Sequence, residues 1–358
     1  MRPLGFAVAL ICVTSAAPAR EMNISQFVFR DLNRNGVFDL GESPFAGAPI
    51  RLEQGAGDPI VRPTNLSGFA NFPMSDDQGD ADIVSTGPVS FMIEVPDGYV
   101  LTTESAVHRA EIQALGSAPG GFVMDPPNPF MGIAPTLTIE AASAGVVQMV
   151  CERAEDRVEA ERSRDALICP VAQGTWRVMR VFADGETQTR EVTVQDWPVR
   201  LPRAGGGGNL EATMTEGFDG IITSENIQEM PSSDGLVWHN IVAAHRKYYG
   251  GHGYVNGTAS GAFAGYTSSG HPGTLKSEAP FSFHGALISV AWPGAVTHPV
   301  RITGLRDGEV VGEDTFLASN LRPLWFDAAW SDLDTLIIAH DAYWQVVIDD
   351  VVLSRGSD

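Results

Sequence analysis

Short stretches in which apolar and polar residues alternate run along most of the chain, separated by glycine, proline and aspartate. A repeat of two places successive side chains on opposite faces of a strand. It predicts strands at 25–30, 49–53, 68–72 and 89–95, then at 136–140, 146–151, 175–182 and 189–194. A third set follows at 235–242, 287–292, 300–305, 315–318, 335–339 and 345–353. Ala183-Asp184-Gly185-Glu186 reads as a hairpin turn between two of these runs. No long helical periodicity interrupts them. The Glu- and Arg-dense stretch 152–165 reads as a short exposed helix or a solvated loop. The class is therefore all-β.

Breaks in this pattern divide the chain. Arg2, the apolar run 4–13 and Ala17-Pro18-Ala19 follow one another as in a secretory signal, so residues 1–19 are expected to be removed. The run is too short for a membrane helix, no later stretch approaches the required length of about 20 residues, and the C-terminus reads as a polar end with no lipidation or sorting tail. A first β-sandwich is expected over 23–117, a proline-rich linker over 118–135 and a small β domain over 136–200. A Gly-rich hinge at 201–208 then leads to a domain over 209–358.

Composition narrows the partners. A net charge of −21 argues against nucleic acid and anionic membrane. The 38 Gly and 23 Pro fit many short strands joined by turns. With Cys12 in the signal, Cys151 and Cys169 remain, and an even pair in an exported chain is most simply a disulfide, worth about 3 kcal/mol for a loop of this length.

The strongest chemical signal is the segment 31–42. Read from Asp31 it matches a calcium loop: Asp31, Asn33, Asn35 and Asp39 offer side-chain oxygens at places 1, 3, 5 and 9. Gly36 stands at the sharp turn, Val37 offers its carbonyl, and Glu42 closes the ring at place 12. Ca²⁺, a hard cation taking six to eight oxygens, is the expected cofactor.

Two resemblances extend this reading. Phe27-Val28-Phe29-Arg30 before the loop, Ala46-Gly47-Ala48-Pro49-Ile50 after it, Thr64-Asn65-Leu66-Ser67-Gly68-Phe69 and Phe91-Met92-Ile93-Glu94-Val95-Pro96-Asp97-Gly98-Tyr99 come in the order found in one family. The segment resembles the B-type module of serine-aspartate-repeat surface adhesins, a prealbumin-like or immunoglobulin-like β-sandwich. The resemblance implies a loop between strands, acting as a static clamp that rigidifies the module. This copy stands alone and carries an Asp-rich insert at 76–82, which argues against a long rod-like stalk.

Gly217-Phe218-Asp219, Gly235-Leu236-Val237-Trp238-His239-Asn240, Gly253-Tyr254-Val255-Asn256-Gly257, Val290-Ala291-Trp292 and the closing run 346–353 resemble the galactose-binding-like, lectin-like jelly roll of exported bacterial proteins, including ones with PEP-type sorting tails. That resemblance implies a second Ca²⁺ held by Asp350 with Asp219 or Glu216. Carbohydrate modules stack sugars on exposed aromatics, and Tyr248 and Tyr249, in a Gly-rich charged loop, are the candidates for that role.

Other chemistries find less support. Seven histidines (His239, His245, His252, His271, His284, His298 and His340) crowd the last segment without H-E-x-x-H spacing, which favours surface or packed roles. No Gly-x-Ser-x-Gly elbow is present. The expectation is an exported, non-catalytic, calcium-binding protein of the cell surface or extracellular matrix, or of the periplasm, partnered by a glycan or a surface or matrix protein. The rival is a secreted carbohydrate-active enzyme, which needs two carboxylates facing across a cleft.

Overall fold

The computed structural model describes residues 22–74, 84–114, 122–202, 214–216, 218–219, 227–232, 235–292, 297–341 and 345–355. The expected signal at 1–19, the insert at 76–82 and most of the Gly-rich hinge lie outside them. Within them the chain is almost entirely β, as its alternation predicts.

The first module holds β1 (Met22–Arg30), β2 (Pro49–Gln54), β3 (Ile60–Pro63), β4 (Phe69–Met74), β5 (Gly87–Ile93), β6 (Tyr99–Leu101), β7 (Val107–Ala114), β8 (Phe122–Asp125) and β9 (Met131–Pro135). They form two facing sheets, ordered β4-β1-β9-β6 and β3-β2-β5-β7-β8. The alternation is physical: Ile50 and Leu52 point inward with Phe45, Phe72 and Phe91, whereas Glu53 and Asn71 face water. The boundary expected at 117 shifts. The stretch read as a linker supplies β8 and β9, and β9 runs parallel to β1 with Val28 opposite Met131. Its described prolines, Pro126, Pro127, Pro129 and Pro135, sit between strands or at a strand end, positions where no ladder N–H is needed.

The second module holds β10 (Thr138–Ala142), β11 (Val146–Arg153), β12 (Asp156–Glu159), β13 (Glu161–Ser163), β14 (Ala166–Pro170), β15 (Gly174–Phe182), β16 (Thr187–Val194) and β17 (Val199–Leu201). The charged stretch 152–165 is neither helix nor loop, because it supplies β12 and β13. Glu152 on β11 pairs with Arg157 on β12 across the ladder, so charges that looked merely solvated form a cross-strand ion pair. Cys151 and Cys169, the pair expected to be bridged, are both fully buried in one core and carry no bond between them in this structure, and the neighbouring Cys169 pushes the Cys151 thiol far up.

The third module holds β18 (Met214–Glu216), β19 (Ile227–Glu229), β20 (Leu236–His239), β21 (Ile241–His245), α1 (His252–Gly257), β22 (Phe263–Thr267), β23 (Gly273–Val290), β24 (His298–Arg306), β25 (Glu309–Ala318), β26 (Leu324–His340) and β27 (Val346–Arg355). Phe281, Phe283, Phe316, Phe326 and Trp330 are buried at its centre, with ring centroids of neighbouring pairs 5.3–6.3 Å apart.

Buried contacts join the modules. β17 of the second pairs in parallel with β26 of the third, so one sheet crosses their boundary. Arg200 on β17 reaches the Asp314 carboxylate at 3.0 Å, and both are buried. The first module is anchored by the fully buried Arg30, which donates to the carbonyls of Asn256 (2.9 Å) and Thr258 (2.6 Å) at the end of α1. Asn256 returns the contact: its amide donates to the Ala46 carbonyl at 2.8 Å and accepts from the Ala46 N–H at 3.1 Å. Tyr99 donates to the Leu321 carbonyl at 2.9 Å along the same face.

Arg30→Met keeps most of the buried volume but orphans two buried carbonyls. The loss should be about 3 kcal/mol, with the first module unfolding ahead of the rest. Denaturant titration with hydrogen exchange checks this, and a single unshifted transition would contradict it.

Candidate functional site

The loop 31–42 leaves β1 and has no regular secondary structure. It therefore lies between strands, as the adhesin resemblance implied. Asp31 is buried, and its carboxylate accepts the N–H groups of Gly36 (2.7 Å) and Asn35 (3.2 Å). Gly36 has φ of +75°, and a Cβ there would press on the Thr102 carbonyl, which is why this place needs glycine. Asn33 and Asn35 accept the N–H groups two residues on, at 3.0 and 2.7 Å. Phe38 packs edge-on against Phe27, Phe29 and Phe130 and pins the loop's far side.

The carboxylates sit in unequal surroundings. Asp39 accepts from the amides of Asn33 (2.8 Å) and Asn35 (2.7 Å), which hold it below the usual carboxylate range. Glu42 turns back onto the Asp39 N–H at 2.9 Å, and its other oxygen is buried with no hydrogen-bond partner. Burial, and then the charges of Asp31 and Asp39, raise the Glu42 carboxyl. An orphaned carboxylate oxygen facing two like charges is the environment a divalent cation relieves, so the donor set fits Ca²⁺. Among the described residues no three His, Cys, Asp or Glu side chains are already gathered as a metal group. In this loop the two asparagine amides satisfy one Asp39 oxygen.

The second expected metal set includes two aspartates that both meet the loop 260–262. Asp219 accepts the Ala262 N–H at 2.8 Å, and Asp350 accepts the Ser260 hydroxyl at 2.7 Å. Each carboxylate uses one oxygen on a different residue of one loop. The Glu216 side chain lies outside the described residues.

Sequence reading passed over the neighbour that does most at this place. Asp349 is fully buried and accepts the N–H groups of Ala259 (2.8 Å), Ser260 (3.1 Å) and Asp350 (2.9 Å). The loop 256–260 thus offers carbonyls to a buried Arg30 and N–H groups to a buried Asp349. Only the Asp349-Asp350 pair on the closing strand hinted at this, and neither Arg30 nor Asn256 carried any signal.

Tyr248 and Tyr249 are 45% and 47% exposed, edge-to-face at 4.7 Å. Tyr249 stacks on Tyr254 of α1 at 5.2 Å, and its hydroxyl accepts from Tyr266 at 2.8 Å. Tyr254 in turn hydrogen-bonds Gln345. The result is a ledge of tyrosines, open on its outer side and rigid beneath. The histidines are spread out: His284 meets the Ser354 hydroxyl at 2.8 Å, and the His298 and His340 rings lie 5.5 Å apart.

No protein-family model matches the chain, and no curated protein matches it. Among solved structures it is similar to the M60 catalytic domain with the CBM51-1 and CBM51-2 domains of Clostridium perfringens ZmpB, at 11% identity and a TM-score of 0.24. That alignment covers 87% of this chain and 30% of the other, so the chain spans under a third of that protein's length. It is also similar to BcpA, the major pilin subunit of Bacillus cereus, at 9% identity over 88% of this chain and 100% of that one, with a TM-score of 0.20. A third is Bacteroides ovatus SGBP-B in complex with mixed-linkage heptasaccharide, at 10% identity over 92% and 96%, with a TM-score of 0.15. Overlaps this loose carry no argument about function. No helix among the described residues is long and apolar enough to cross a membrane.

Burial, and then the charge of Asp350, push the Asp349 carboxyl up to about 7. Its unfolded value is about 3.9, so the folded state holds the extra proton between the two. Stability from this group is fully present below about pH 4 and is lost as pH rises through about 7. Asp349→Asn should flatten that part of the melting-temperature profile between pH 4 and 8; an unchanged slope would assign it to other groups.

Proposed function

We propose that this chain is an exported, non-catalytic β protein of the cell surface or extracellular matrix, which uses Ca²⁺ to stiffen its first module and an aromatic ledge on its third to hold glycans. The observation that carries the reading is the ledge. Tyr248 and Tyr249 are each nearly half exposed and packed on one another, while Tyr254 and Tyr266 hold Tyr249 from below, so a sugar could stack without first ordering that ring.

The calcium part rests on the adhesin resemblance and on the buried, unpartnered oxygen of Glu42. Asp31, Asn33, Asn35, the Val37 carbonyl, Asp39 and Glu42 would hold the ion. The ion would supply charge neutralisation for three carboxylates that otherwise repel one another. Asp31 follows Arg30 directly, so stiffening this loop also steadies the strand end that anchors the first module to the third. Extracellular calcium modules bind at roughly 10⁻⁴–10⁻³ M, and tenfold excess over that constant stabilises by about 1.4 kcal/mol. This is enough to order a loop on a fold that stands without it.

Two measurements test the reading. Adding Ca²⁺ should raise the melting temperature of the wild type, and Asp31→Ala or Glu42→Gln should abolish the rise; a rise that survives in both variants would locate the ion elsewhere. On a glycan array, with and without chelator, Tyr249→Ala should weaken retention at least tenfold. Uniform silence of the wild type overturns the ledge as a glycan site.

A further inference from the structure

A row of side chains crosses the boundary between the second and third modules. Val199 on β17 pairs with Trp325 on β26, Trp325 with Leu287 on β23, and Leu287 with Asp349 on β27. Val199, Trp325 and Leu287 form the floor of a cavity of about 330 Å³, close to the lower end of small-ligand pockets. The connection from β16 to β17 forms its roof with Gln195, Asp196 and Trp197.

One wall is made by an irregularity in β27. Between the pairs Leu287–Asp349 and Gly285–Val352, one residue of β23 faces two of β27. Asp350 in this bulge has φ of +46°, a conformation non-glycine residues seldom adopt inside a strand. Bulges re-aim side chains. Here the bulge brings Asp350 to the cavity, while Asp349 turns to Ala259 and Ser260.

The lining is selective in its chemistry. Two indoles supply flat apolar surface, and Gln195 can both donate and accept. Asp350 uses one oxygen on the Ser260 hydroxyl (2.7 Å), and Asp196 uses one on the Gln173 amide (3.2 Å). Each carboxylate has a second oxygen suited to accept from a hydroxyl. Two carboxylates repel an anion, and no third joins them to make a metal group among the described residues. A ring with one apolar face and a hydroxyl rim satisfies all of these walls.

We propose that this cavity is a binding site for a neutral mono- or disaccharide, separate from the Tyr248–Tyr249 ledge. It rests on the glycan-binding reading above and gives the chain a second point of contact with the same class of ligand.

The test is calorimetry and intrinsic fluorescence on the full chain with glucose, galactose, mannose, N-acetylglucosamine and disaccharides built from them. At least one should bind saturably. Asp196→Asn and Asp350→Asn should each weaken that sugar about tenfold, since asparagine keeps the shape and tolerates positive φ. Tyr248→Ala and Tyr249→Ala should leave it unchanged. Absence of binding by every sugar, binding unaltered in both asparagine variants, or release of reducing ends from a disaccharide would each overturn the proposal. If no free sugar binds but array retention is lost with Tyr249→Ala, the cavity fails and the ledge stands. If the array is silent while the asparagine variants lose a free sugar, the ledge fails and the cavity stands.

Discussion

A buried guanidinium holds this molecule in register. Arg30 ends the first strand, is wholly removed from water, and donates through its two terminal nitrogens to two carbonyls some 226 and 228 positions away. Taking a cation out of water costs several kcal/mol unless its surroundings replace the lost solvation. Burial lowers its pKa, and the field of the buried Asp349 works in the opposite direction. Arginine suits this place because its planar fork can reach two acceptors at once and its charge is retained under ordinary conditions. The Trp197 ring, 5.4 Å from the guanidinium carbon, adds a cation–π contact from the second module. One side chain of the first module therefore touches both of the others.

That arrangement places distinct features on one scaffold. Asp31, the first residue of the candidate calcium loop, follows Arg30 directly, so the loop departs from an immobile point in the interior. Arg30 grips the end of α1, and α1 also carries Tyr254, the support beneath Tyr249. Trp197 both faces Arg30 and roofs the cavity between the second and third modules. The exposed ledge and the cavity are thus held relative to the first module by buried contacts, and neither is free to move on a tether.

Much of the architecture was readable from neighbouring residues. Ile50 and Leu52 alternate with Arg51 and Glu53 in the sequence and in burial alike. The order of oxygen-bearing residues from Asp31 to Glu42 marks a tight turn whose backbone groups are capped by Asp31, Asn33 and Asn35. Tyr248 and Tyr249 were singled out for their loop and do stand exposed. The failures share a cause. Proline density suggested a linker at 118–135, yet Met131–Pro135 is paired with β1, a strand about a hundred positions earlier. Charge density suggested a short helix or loop at 152–165, where the chain instead forms strands whose charges do face water.

Whatever depends on a dozen consecutive residues was open to inspection in the chain: strand periodicity, turn chemistry, the ligand order of one loop. These are local because the backbone repeats every two residues and a metal loop closes on itself. The roles of Arg30, Asn256 and Asp349, the union of the second and third modules by one continuous sheet, and the choice of Asp350 over Asp349 as the cavity wall were decided only on folding. Burial is a property of what packs against a residue, and these partners lie from tens to more than two hundred positions away. An arginine before a loop, or one aspartate beside another, carries no mark of it.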